Sequence, residues 1–243
     1  MIFGGVANLT NFCTMGALSD IVFMEDYGRF RTWLLAIAVA IITSQTLHVM
    51  GMIDLYESIY QTANLGWLGG IIGGLLFGFG MTMAGGCANK NLVRIGGGNL
   101  KSIVVIIVMA IFAYMTLRGL IGLARIEIEA FSNMDLTQLG LKSQGLIDIF
   151  ALIIGSEAEK LRIGFSVIVT SFLLIYCFKD HSFRTSNVNI FGGIIIGALV
   201  PLGWWITGVL GFDDFEPTAL FSFTFVSPAG ESIQYLMTYT GAT

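Results

Sequence analysis

Residues 66–98 read GWLGGIIGGLLFGFGMTMAGGCANKNLVRIGGG. The first two thirds form an apolar run of membrane length, carrying glycine at Gly69, Gly70, Gly73, Gly74, Gly78 and Gly80. Glycine weakens any helix, so a helix that carries this many uses them for close packing or for a break in its geometry. The run ends on a single thiol, Cys87, after the pair Gly85 and Gly86, and two cations, Lys90 and Arg94, follow within seven residues. A thiol at the end of such a helix is polar, partly shielded and reachable, which is the makeup of a site inside a membrane protein.

The rest of the chain agrees. It is 55% hydrophobic and 12% charged, with a mean hydropathy of +0.82; a soluble domain carries about 25% charged residues. The fold class expected is all-α: a polytopic transmembrane helical protein with glycine-rich and re-entrant helices. Four runs are long enough to span, Trp33 to Ile53, Leu65 to Gly86, Ser102 to Ala124 and Ile190 to Phe212, and a shorter fifth runs from Ile163 to Phe178. Leu146 to Gly155 is too short to cross and reads as an interfacial helix. A short helix is expected near Glu231 to Met237 in the acidic, aromatic tail. Arg29, Arg31, Lys90, Arg94, Lys101, Lys179 and Arg184 all fall in loops on one side if the five runs cross, and the short opposite loop 54–64 has no cation, so the basic side is cytoplasmic.

Three cysteines, Cys13, Cys87 and Cys177, make no disulfide framework and no metal motif, and two histidines without a ligand spacing add none. No metal and no cofactor are expected. The IGGGNL after Arg94 follows no strand and lacks the lysine–serine pair of a phosphate loop; no nucleic-acid partner is expected either. The glycine pairs at four-residue spacing mean tight packing, within the chain or between copies. Arg118 lies inside the third run as a snorkelling cation or as a charge on an anion path.

Around Cys87, Gly86 leaves the thiol accessible while Asn89, Lys90 and Arg94 supply donors and positive charge. Cations and helix N-termini lower a thiol pKa and apolar burial raises it, so sequence leaves the ionisation open. Anions are welcome in such a place. Cys13, in NFCTMGALSD, is either a second thiol on the same path or filler in a re-entrant turn; Cys177 ends a plain apolar helix and reads as inert. A shift of 192 residues superposes Gly5 on Gly197, Gly16 on Gly208 and Cys13 on Trp205, a faint internal echo.

The blocks NFCTMGALSD, GGLLFGFGMTMAGGCANKNLVRIGGGNLKS and GWWITGVLGFDDFEPTALFSFTFVSPAGESIQYLMTYTGA resemble the YeeE/YedE family of sulphur-transport membrane proteins, which includes thiosulfate permeases. The resemblance implies an all-helical fold of two related halves, the second incomplete here, with short helices dipping in from both faces and a glycine–cysteine motif in each half. It divides the chain into a first transmembrane repeat at 1–125, an extracytoplasmic loop with a short interfacial helix at 126–162, and the start of a second repeat at 163–243. By position, Cys87 fills the first-half motif and Cys13 the cysteine near that half's start. No second glycine–cysteine motif appears before Thr243, and only ten residues precede Asn11, so a gene fragment or one part of a split transporter is expected.

The function implied is a non-enzymatic permease of the bacterial inner membrane that imports thiosulfate or a related small sulfur-containing anion through a cysteine-lined path. Its site would comprise Cys87, Cys13, Lys90, Arg94, Asn89 and Gly86. Partners expected beside the anion and the lipid bilayer are a missing second half, a second copy or a sulfur-carrier protein. The alternative is a membrane sulfur-relay or redox component carrying a persulfide on Cys87. A third reading makes the chain an assembly subunit with no path of its own.

Overall fold

The computed structural model describes residues 1–141, 143–155, 158–211 and 220–239. Five of its helical stretches are long and apolar enough to cross a membrane: Gly28–Val49, Trp67–Gly96, Leu100–Arg118, Leu161–Phe178 and Asn187–Leu210. Large apolar side chains stay exposed along them, Leu75, Phe79, Ile168 and Phe172 among them, as lipid-facing helices require. The protein is an all-α, multi-pass membrane protein.

The chain divides into two compact units, Met1–Leu65 with Asp135–Phe223, and Gly66–Met134 with Thr224–Thr243. Unit 1 opens with α1 (Ile2–Leu9), α2 (Thr14–Met24) and α3 (Gly28–Val49). The second unit contributes α4 (Trp67–Met83), α5 (Ala88–Gly96), α6 (Leu100–Arg118) and α7 (Leu120–Ser132). The chain then returns to unit 1 for α8 (Leu146–Ile154), α9 (Ala158–Phe178), α10 (His181–Thr185) and α11 (Asn187–Trp205), which runs on into a π-turn at Ile206–Leu210. Last comes α12 (Val226–Thr238) of unit 2. Three-residue strands, Asn64–Gly66 and Asn133–Asp135, fall where the chain passes between the units. The short helix expected at 146–155 is present as α8, and the helix expected in the tail is α12; residues 212–219 and 240–243 of that tail lie outside the described residues.

Unit 1 is built on α3, which packs against both α9 and α11. Leu35, Cys177 and Phe183 form its buried centre, with Leu34, Val39, Leu174 and Ile190 packed around them. Contact with α11 is glycine-tight. A Cβ on Gly193 would stand 3.0 Å from the Thr32 carbonyl oxygen, and one on Gly197 only 2.6 Å from that of Ala36. A Cβ on Gly192 would overlap the Thr10 methyl, so α1 is seated on α11 at the same patch. Pro201 lies inside α11 and has no N–H to give the Gly197 carbonyl; the π-turn follows within one and a half turns.

Two helices reach further than their apolar runs and carry charged side chains into the packed unit. α3 begins at Gly28 rather than Trp33: Arg29 binds Asp20 through two hydrogen bonds, and Arg31 pairs with Asp180 between the rings of Tyr27 and Tyr176. α9 likewise begins before Ile163 and takes in a buried Arg162.

In unit 2, Asn99 caps α6 by accepting from the N–H groups of Lys101 and Ser102, at 3.0 and 3.4 Å. Helix α6 stops at Arg118, so that cation sits in a helix's last turn rather than in mid-span. Gly119 permits the break, since a Cβ there would lie 2.8 Å from the Met115 Cα. α12 lies on α6 where Gly230 approaches the Ala110 carbonyl. By contrast, a Cβ on Gly70, Gly73, Gly74, Gly78 or Gly80 of α4 would meet nothing within 4 Å; within unit 2 these glycines seat no helix.

Candidate functional site: two cysteine turns

Helix α4 ends in a Schellman turn. Gly86 N–H donates to the Met81 carbonyl at 2.9 Å and Gly85 N–H to that of Thr82 at 3.2 Å. Gly85 takes the left-handed conformation such a turn needs, with φ 64°, and Gly86 follows at φ 153°. A side chain at Gly86 would also press on the Lys90 stem, 3.2 Å away. Cys87 comes next in extended geometry, φ −70° and ψ 172°, as the residue that opens α5. Its carbonyl accepts the first bond of that helix, from Asn91 N–H at 3.1 Å.

Two side chains of α5 fold back to hold this turn. Asn91, 1% exposed, donates through Nδ2 to the carbonyls of Gly86 and Cys87, at 3.0 and 3.2 Å. Arg94 donates through Nη1 to the Gly85 carbonyl at 2.8 Å. The cation is thereby fixed beside the thiol's turn rather than trailing in solvent. Cys87 is half-buried, and Asn89 and Lys90 lie in the first turn of α5 on the same side of the break.

Unit 1 repeats this turn. Thr10 N–H donates to Val6, Asn11 N–H to Asn8 and Phe12 N–H to Ala7, which matches Ala84 to Gly80, Gly85 to Thr82 and Gly86 to Met81 at an offset of 74 residues. Asn11 takes the left-handed role at φ 50°; asparagine is the side chain that tolerates it best after glycine. Cys13 then opens α2 in extended geometry, as Cys87 opens α5, and its carbonyl accepts from Ala17 N–H at 2.9 Å. Cys13 is buried, 6% exposed. One turn along, the Arg29 guanidinium lies against Gly16, 2.6 Å from where a Cβ would stand, held there by Asp20.

So the sequence-selected residues Gly86, Cys87, Asn89, Lys90 and Arg94 come together on one turn of unit 2, and Cys13 occupies the equivalent place in unit 1. The sequence alone set Arg29 among the basic loop cations and gave no role to Asp20, and its internal echo was sought at an offset of 192 rather than 74. Trp205, set against Cys13 by that larger offset, ends a helix that continues straight into the π-turn, with no left-handed residue between. The signal available was a helix end followed by asparagine or glycine two residues before a cysteine. Cys177 is fully buried and donates its S–H to the Arg31 carbonyl at 3.4 Å. No disulfide joins the three thiols, and among the described residues no group of three or more His, Cys, Asp or Glu side chains gathers to hold a metal.

Chemically, each turn sets a polarizable thiol at the N-terminus of a helix, where first-turn N–H groups lack intrahelical acceptors and the helix dipole is positive. Each also has a guanidinium within one or two turns. Such a combination suits an anion; in unit 1 the guanidinium is also held by the Asp20 carboxylate.

Over 116 residues the chain is 32% identical to the thiosulfate transporter TsuA of Escherichia coli K12, a match covering 48% of this chain and 30% of that protein. With the thiosulfate transporter TsuA of Spirochaeta thermophila it shares 29% identity over 118 residues, 49% of this chain and 34% of the relative. The match thus takes in about a third of each relative's length. The family model for sulphur transport matches residues 9–243, from just before the first cysteine turn through α12: the chain belongs to the sulphur transport family.

Proposed function

We propose that this chain takes part in importing thiosulfate, or a closely related small sulfur-containing anion, across a bacterial inner membrane, with Cys87 and Cys13 touching the anion on its way. The observation that carries the reading is the recurrence of one turn, a thiol at a helix N-terminus backed by an arginine, in both units. Its support from relatedness is the pair of thiosulfate transporters it resembles.

The chemistry fits the cargo. Thiosulfate is a dianion with one soft terminal sulfur and three hard oxygens. An unscreened anion does not enter hydrocarbon, so a path supplies fixed donors and dipoles. Helix N–H groups and the side chains of Asn89, Lys90 and Arg94 suit the oxygens, and the polarizable thiol suits the sulfur. Sulfate offers oxygens alone, so the thiols also discriminate. Gly86, having no side chain, leaves the approach to Cys87 open. Lys90 and Arg94, with the other basic loops, face the cytoplasm in this reading.

The test is labelled-thiosulfate uptake by cells that lack their own sulfate and thiosulfate importers and express the complete transporter. Cys87→Ala is expected to lower uptake on the order of 10-fold or more, the value of a lost contact to a charged group, with the protein still present in the membrane. Cys13→Ala is expected to act in the same direction. Undiminished uptake by both variants would remove the thiols from the path.

A further inference from the structure

We propose that unit 1 holds a second oxyanion subsite, away from the cysteine turns, in the seam between α9 and α3. It rests on the import reading above and names the residues that would grip the anion's oxygens.

Arg162, Ser166 and Thr170 follow one another at four-residue spacing on α9, and so share a face. All three are buried, at 5%, 2% and 6% exposure. That face meets α3, with the two helices running antiparallel: Arg162 Nη1 reaches Gln45 Oε1 at 3.4 Å at one end, and the Cys177 thiol meets the Arg31 carbonyl at the other.

A serine or threonine hydroxyl in a membrane helix ordinarily bonds back to the carbonyl one turn earlier. Thr32, Thr43, Thr46, Thr116, Ser132 and Thr207 all do so here. Ser166 Oγ and Thr170 Oγ1 do not, and among the described residues neither has a hydrogen-bond partner. Two neighbouring donors, one turn apart, are thus shut off from solvent with their hydrogen-bonding capacity unused. Above them stands a guanidinium stacked at 4.6 Å on the Tyr56 ring. Tyr56 in turn donates to Asp148 at 3.0 Å, and Ser143 donates to the same carboxylate. Two hydroxyl donors under a positive charge suit the oxygens of a small tetrahedral anion. Thiosulfate and sulfate both present them; only the cysteine turns tell the two apart.

The experiment is equilibrium binding of sulfate and of thiosulfate to the purified full chain in detergent, by calorimetry and by thermal stabilisation. The variants are Ser166→Ala/Thr170→Val and Cys13→Ala/Cys87→Ala. The hydroxyl pair variant is expected to bind both anions roughly 10-fold more weakly. Without anion it should melt no lower than the parent, since it sheds two unsatisfied polar groups and little volume. The cysteine pair variant is expected to keep sulfate binding. Parental affinity for both anions in the hydroxyl variant overturns the subsite, as does a parent chain that binds neither. Loss of uptake in the cysteine variants with unchanged binding in the hydroxyl variant sinks this inference alone. The reverse pattern, hydroxyl-dependent sulfate binding with cysteine variants that import normally, sinks the thiol path and leaves the subsite standing.

Discussion

Gly197→Ala is expected to destabilise the protein, and Gly70→Ala to stabilise it, although both glycines lie in apolar, glycine-rich membrane helices. The difference is in what a methyl group meets. At Gly197 it would arrive 2.6 Å from the Ala36 carbonyl and 2.7 Å from the Val39 Cβ. The first is backbone of the central helix and cannot swing aside, so α11 must lift off α3. Overpacking of this kind costs about 1–3 kcal/mol, and Gly197→Val should exceed that range and leave little folded protein. At Gly70 the methyl meets nothing within 4 Å, and removing a helical glycine is worth about 0.5–1 kcal/mol. Thermal unfolding in detergent, followed by tryptophan fluorescence, reads both. Equal shifts of one sign would mean that α11 is not seated on α3 as described.

Asp20→Ala is the second large expected effect. The carboxylate is nearly buried, with its side chain 6% exposed, and it holds Arg29 through two hydrogen bonds. Removing it strands the guanidinium against Gly16 beside the Cys13 turn. The loss should be about 3 kcal/mol, at the low end for a broken buried pair because Arg29 is a third exposed and water screens part of its charge. Asp20→Ala/Arg29→Met, with no charge left to strand, should regain much of that stability. If single and double variants unfold together, the pair contributes nothing beyond packing.

Membrane character and the five spans were legible because hydrocarbon thickness demands long apolar runs and nothing else in the sequence resembles them. The ends were less so. Hydropathy stops at Arg29, Arg31 and Arg162, but a helix does not stop at a charge whose partner is folded against it. Cys87 stood out by its glycines. Its likeness to Cys13 did not, because Asn11-Phe12 and Gly85-Gly86 share no letters, only a backbone path and its hydrogen bonds. Glycine misled in a similar way. The richest glycine helix, α4, packs with few of its glycines inside its own unit, while four in α11, Gly192, Gly193, Gly197 and Gly203, leave less than 3 Å for a Cβ, and composition is blind to what lies opposite.

Pro201 divides α11 in time as well as in space. Its first half is clamped through Gly192, Gly193 and Gly197. The second half lacks the bond to Gly197 and shifts into the π-turn, where the Thr207 hydroxyl donates to the Phe221 carbonyl, while Ser222 Oγ donates to the Val200 carbonyl just ahead of the proline. Amides of residues 203–210 should therefore exchange with deuterium through brief local openings, while those of 190–199 wait for unit 1 to unfold. The stem that waits is the half on which Thr10 is seated, and Thr10 begins the turn that presents Cys13. One span is thus expected to join a faster-exchanging tip to a slower stem, with the first cysteine riding on the stem.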